Sequence, residues 1–91
     1  MNRARLKELL DRAGVSKRFY SLDGPAQDSE SYSLVSDGIT WQVLYKERDR
    51  FELIEGSLSE EKACDLIYKL LDEALKLGPQ QAAIVTAQRR A

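Results

Sequence analysis

Leu6, Leu9, Leu10 and Ala13 alternate with Lys7, Glu8, Asp11 and Arg12 near the start of the chain. Spacings of three, one and three put the apolar set on one side of a helix. Asn2 can cap its start and Gly14 can take the left-handed conformation that ends it. Val15 then supplies the apolar contact beyond that end. The pattern predicts a helix over about residues 3–13. A broader stripe (Ala63, Cys64, Leu66, Ile67, Leu70, Leu71, Ala74, Leu75 and Leu77) faces Lys62, Asp65, Lys69, Asp72, Glu73 and Lys76. Ser59 can cap that second helix, Glu60 and Glu61 suit its positive end, and Gly78-Pro79 stops it. About 18 residues make a rod of roughly 27 Å.

Between the helices the period changes from 3.6 to 2. Phe19-Tyr20-Ser21-Leu22 reads as a short extended piece, followed by the Asp23-Gly24-Pro25 turn and a polar loop. Residues 31–36 and 39–46 flank Asp37-Gly38, a dipeptide suited to a two-residue hairpin. That turn pairs Ser36 with Ile39, Leu34 with Trp41 and Tyr32 with Val43. One face then carries Tyr32, Leu34, Ile39, Trp41, Val43 and Tyr45 toward the core. The opposite face, with Gln42 on it, is mostly wet. For Phe51 and Leu53 to join the core face, the second turn needs three residues, Arg48-Asp49-Arg50. A two-residue turn would bring Glu52 opposite Tyr45. The fold class expected is α+β: a helix, an antiparallel meander of three to four strands, and a long C-terminal helix packed on one sheet face. Residues 1–79 form one domain, and the helix-compatible stretch 80–91 is a tail.

Composition changes this picture little. The 91 residues are 43% hydrophobic and 32% charged, ordinary for a globular chain that can bury one core. No apolar run reaches the roughly 20 residues of a membrane span. Charge interleaves the leucines of the first helix where a signal peptide would be apolar, so a cytoplasmic location is expected. The net charge of −1 hides an asymmetry. Residues 1–18 hold six bases against two acids, whereas residues 19–61 hold ten acids against Lys46, Arg48 and Arg50. An acidic middle disfavours a nucleic-acid partner.

The chain has no histidine and one cysteine. The first removes the commonest general base and imidazole metal ligand, and the second excludes a zinc knuckle. Cys64 on the helical stripe reads as a small buried hydrophobe. No cofactor or metal is expected. The carboxylate pairs Glu47 with Asp49 and Asp28 with Glu30 read as solvated loop acids rather than acid and base. Tyr20, Tyr32, Trp41 and Tyr45 read as core rather than a base-stacking platform, since no lysine or arginine lies between Phe19 and Tyr45. An enzyme is not expected.

Several segments in order resemble a known family. They are Tyr20-Ser21-Leu22-Asp23-Gly24, the strand Trp41-Gln42-Val43-Leu44-Tyr45-Lys46-Glu47-Arg48, and the helix opening Ser59-Glu60-Glu61-Lys62-Ala63-Cys64. Together they are similar to small bacterial immunity proteins that neutralise the C-terminal domains of secreted polymorphic or contact-dependent toxins. Asp49 stands where that family's turn glycine would be, and Lys62 where a glutamate precedes Ala-Cys. The resemblance implies a cytoplasmic inhibitor that binds a cognate toxin domain, a protein, one to one, with no nucleic-acid or membrane partner. The alternative is a non-inhibitory adaptor or chaperone for a secreted effector. The residues expected at the contact are Asp23, Asp28, Glu30, Gln42, Glu47 and Asp49, the acids matching a basic toxin surface.

Overall fold

The computed structural model describes residues 1–77. The expected tail 80–91 lies outside the described residues. Helix α1 runs Arg3–Arg12, and a single 3₁₀ turn spans Lys17–Phe19. The strands are β1 (Tyr20–Ser21), β2 (Ser31–Ser36), β3 (Trp41–Glu47) and β4 (Arg50–Leu58), and helix α2 is Glu60–Leu75. The class is α+β.

The helix ends follow from local chemistry. The Asn2 side chain accepts from the Arg5 amide at 2.8 Å. At the far end of α1, Gly14 has φ +73. Its N–H donates to the Asp11 carbonyl at 3.1 Å, and the Val15 N–H donates to that of Leu10 at 3.0 Å. This is a complete Schellman closure, with Val15 buried beyond it. Ser59 caps α2 through the Lys62 amide at 3.1 Å. That helix closes earlier than Gly78-Pro79 predicts, because Lys76 itself takes the left-handed conformation at φ 55.

The sheet order is β1-β2-β3-β4. It is mixed, which corrects the expected all-antiparallel meander: β1 pairs parallel to β2, Tyr20 with Tyr32 and Ser21 with Ser33. Residues 22–30 carry the chain back to the end at which β1 began, so β2 starts in the same direction. β2 and β3 are antiparallel, with Ser36 opposite Trp41, Leu34 opposite Val43 and Tyr32 opposite Tyr45. The Asp37-Gly38 turn is therefore four residues long, not two. Asp37 explains the extra length. Its Oδ1 accepts from the Ile39 and Thr40 amides, both at 2.8 Å, and these bonds close the wider loop. Thr40 first and Ile39 second hold the Asp37 carboxyl below the usual carboxylate range. Ile39, expected in the core, is 87% exposed in that loop. The other faces survive because the register moved by two residues, which preserves side-chain parity.

The second turn departs in the opposite sense. Glu47 pairs with Arg50, leaving Arg48-Asp49 as a two-residue turn, and Glu52 stands opposite Tyr45. Arg48, at φ 60, takes the left-handed position rather than Asp49. Phe51 then pairs with Lys46 and Leu53 with Leu44, so both leave the core face. A three-residue turn would have kept Phe51 and Leu53 on the core face and Glu52 off it. That end of the face is only half-buried, so an acid opposite Tyr45 stays solvated. Toward its end β4 slips twice against β3, once between Val43 and Leu44 and once between Trp41 and Val43. Each slip is a bulge that flips later residues to the other face. The second brings Leu58 opposite Trp41, where it packs against the core.

One buried cluster joins Leu6 and Leu10 of α1 and Leu34 and Val43 of the sheet. Ala63, Cys64, Ile67 and Leu71 of α2 complete it. Trp41, expected to be buried, is half-buried at the margin of this cluster with the Arg3 guanidinium 5.3 Å above its ring.

The other face is not simply wet. Ser31 and Ser33 are buried there because the segment 22–30 folds across them. The Ser33 hydroxyl accepts from the Ala26 amide at 2.8 Å, a buried bond, and Ser31 donates to the Asp28 carbonyl at 2.6 Å. Ser33→Ala leaves the Ala26 N–H without its acceptor and should cost about 1–3 kcal/mol. Denaturant unfolding together with exchange of the Ala26 amide checks this. A variant as stable as the parent, with that amide still protected, contradicts it.

Candidate functional site

The segment 22–30 and the β3–β4 turn meet at one end of the sheet. The Glu30 N–H donates to the Lys46 carbonyl at 2.7 Å. The Arg48 N–H donates to Ser29 Oγ at 2.7 Å, and Lys46 Nζ reaches the Gln27 carbonyl at 2.9 Å. Asp28 and Glu30 thus flank the same backbone bonds that bracket Glu47 and Asp49. Four of the six residues expected at the contact are brought together this way. Glu30 and Arg48, at φ 57 and 60, are both left-handed here. Each is a strained conformation for a residue with a β-carbon, held by the bonds around it.

Asp23 and Gln42 lie elsewhere. Asp23 is bound to the Arg3 guanidinium at 2.6 Å beside the start of α1. Gln42 pairs with Val35 in the middle of the outward face. The acidic end is also less one-sided than the composition of residues 19–61 indicates, because Lys46, Arg48 and Arg50 stand among the four acids. Lys46 leans over the Phe51 ring at 5.4 Å.

Two depressions adjoin this end. An open cleft of about 570 Å³ is lined by Tyr45, Glu47, Arg48, Arg50, Phe51 and Glu52. A smaller one of about 190 Å³ lies between Phe19, Glu30, Tyr32, Tyr45 and the last turns of α2. Tyr32 and Tyr45 meet there with ring centroids 4.9 Å apart. Burial pushes both phenols up, so they stay neutral donors at physiological pH. The first cleft mixes two acids with two arginines on an exposed hairpin.

Sequence reasoning missed the main apolar feature. Phe51, Leu53 and Ile54 are exposed at 44%, 57% and 37%. All three lie on β4, the terminal strand of the sheet. Phe51 and Leu53 share the outward face with half-buried Leu44, Val35 and Gln42. Glu52 and Glu55 lie on the other face, opposite Tyr45 and Val43. An apolar centre with a charged rim is the usual anatomy of a protein contact. The signal available was Gly56 inside a strand, which marks a bulge. Glu52 and Glu55 at a spacing of three also break the period of two.

The basic residues of α1 are engaged with acids. Arg5 pairs with Glu8 at 2.8 Å, Lys7 with Asp11 at 3.1 Å and Arg12 with Glu8 at 3.2 Å. Among the described residues no His, Cys, Asp and Glu are grouped so as to hold a metal ion. No helix there is long and apolar enough to cross a membrane. No family model, curated protein or solved structure matches the chain.

Cys64 is fully buried in the core cluster. Desolvation first, then the Glu60 carboxylate, pushes its thiol from the ordinary 9.0 to about 11. The neutral thiol is the form that the fold favours. The stabilisation is complete below pH 9 and is lost as pH rises toward about 11, because the unfolded chain ionises first. Native protein should react with Ellman's reagent at pH 8 at least ~100-fold more slowly than urea-unfolded protein, because the thiol is inaccessible as well as neutral. Equal rates would contradict its burial.

Proposed function

We propose that this protein works by binding another protein, as an immunity protein that neutralises a secreted bacterial toxin domain by one-to-one contact and performs no reaction of its own. The observation that carries the reading is the exposed apolar group Phe51, Leu53 and Ile54 on the strand that leaves the Arg48-Asp49 turn. Isolated surface leucines are ordinary, but three large apolar side chains within four residues of one terminal strand form a patch. Partner contact would bury that patch, and the flanking acids would steer a basic surface toward it.

Other classes have less support. The arginines and lysine of α1 that could engage phosphate are already paired with Asp23, Glu8 and Asp11. The single thiol is buried and neutral at physiological pH. The resemblance in the segments from Tyr20, Trp41 and Ser59 favours inhibition over mere carriage. Neither Asp23 nor Gln42 adjoins the acidic end, so the contact we propose is centred on Phe51 and Leu53 with Asp28, Glu30, Glu47 and Asp49 at its rim. Asp23, held by Arg3, and Gln42, on the outward face, are peripheral to it.

Co-purification from the native host followed by co-expression with the captured domain tests this. Rescue of growth by the parent protein is expected. The Phe51→Ser/Leu53→Ser double variant should lose at least ~100-fold in affinity. Its stability should change by no more than about 1 kcal/mol, because both side chains are already exposed. Binding without rescue would identify a carrier rather than an inhibitor. Unchanged affinity in the double variant would move the contact away from β4.

A further inference from the structure

We infer that β4 recognises an extended segment of its partner by adding it to the sheet as a fifth strand, and that this segment alternates apolar residues with lysine or arginine. The inference rests on the reading of the protein as a protein-binding module and names what that module takes. Among the described elements, β4 contacts only β3 and α2, and it ends the sheet. Its second edge, nine residues long, faces no strand of the described residues. The opposite edge of the sheet is β1, only two residues long. Exposed edges are normally kept short, bulged, charged or covered, and β4 carries two bulges and the charges of Arg50, Glu52 and Glu55. Here the two bulges come late, after Leu53, so residues 50–53 remain a regular strand with one edge open.

The two faces of that strand specify the guest. Phe51 and Leu53 point outward beside Leu44, while Glu52 and, after the bulge, Glu55 stand on the other face. A strand laid against this edge places its own alternate side chains next to each set. Apolar residues on its outward face would extend the patch of Phe51 and Leu53. Lysine or arginine on its other face would neutralise Glu52 and Glu55. Backbone hydrogen bonds would supply the attachment and the alternation would set the register.

A second copy of this chain fits poorly in two of the three two-fold registers about residues 51–53. If Phe51 faces the copy's Leu53 across a two-fold axis, Glu52 faces Glu52, and like charges directly opposed destabilise a pair. If Leu53 faces Leu53, Phe51 meets Glu55, which the bulge has turned to the other face. If Phe51 faces Phe51, Arg50 stands opposite Glu52 on both sides, so self-pairing in that register is the competing occupant and dimerisation through β4 the outcome that would show it.

The test uses the whole protein and three capped octapeptides: alternating Lys-Val, alternating Glu-Val, and Lys-Val methylated on every second backbone nitrogen so that the edge facing β4 cannot donate. Amide shifts are followed by NMR. The Lys-Val peptide is expected to bind with shifts confined to residues 50–55 and the neighbouring part of β3. The Glu-Val peptide should bind at least tenfold more weakly, and methylation should abolish binding. Glu52→Lys/Glu55→Lys, checked to keep the parent's spectrum elsewhere, should reverse the preference between the two charged peptides. Glu52→Gln/Glu55→Gln should erase it. No shifts with any peptide up to about 1 mM, equal binding after methylation, or shifts away from β4 would each overturn the inference. So would concentration-dependent dimerisation through β4. A toxin domain that binds and is inhibited while the amides of β4 stay unchanged would overturn the added strand and leave the inhibitor reading standing. Peptide binding with no rescue in the co-expression assay would do the reverse.

Discussion

The buried cluster is one-sided, and the rest of the structure depends on that. Both helices deliver their apolar stripes to the same group of side chains, of which Tyr20, Leu34 and Val43 are the contribution of the sheet. A four-stranded sheet has two faces, and no third helix among the described residues is available for the second. Near β1 and β2 the segment 22–30 serves instead, tied down through Ser31 and Ser33. Its reach ends at the β3–β4 turn, where Ser29 holds the Arg48 amide. Beyond that point none of the described elements lies over the outward side of β4. A small domain satisfies its core with few elements and leaves apolar surface uncovered where they run out.

The helices were legible because their signals are local. A 3.6-residue period, an Asn or Ser cap and a glycine past the end all act within one or two turns. α1, its Schellman closure and the cap of α2 accordingly stand as read. Strand identity was legible for the same reason. Register was not, because it depends on how each turn closes and on what lies over each face. The Asp37 carboxylate widened one turn by two residues, a change that parity hid. Arg48 tightened the other by one, and that single residue moved Phe51 and Leu53 from the expected core to the surface. The parallel pairing of β1 depends on the course of residues 22–30, which no period encodes.

The candidate site was legible in the same partial way. Asp28, Glu30, Glu47 and Asp49 were recognisable as loop acids from composition, and backbone bonds between distant segments bring them to one place. Their apolar counterpart was invisible, because the argument that placed Phe51 and Leu53 assumed that the sheet face stays buried as far as Tyr45. The same misplacement shows why the two sets belong together. The tight Arg48-Asp49 turn that carries Asp49 and follows Glu47 also turns Phe51 and Leu53 outward. In the proposed contact, charge for steering and apolar area for affinity thus come from one local decision of the chain.

The central claim is that β4 keeps an open, unpaired edge in the free protein. Residue-resolved amide exchange measures this directly, since each amide of residues 50–53 points either into β3 or away from it. Alternation is the predicted result: inward amides protected to near the global stability, outward amides exchanging within about tenfold of an unfolded chain. Uniform protection across those residues would contradict the account, because it would mean that the edge is already covered.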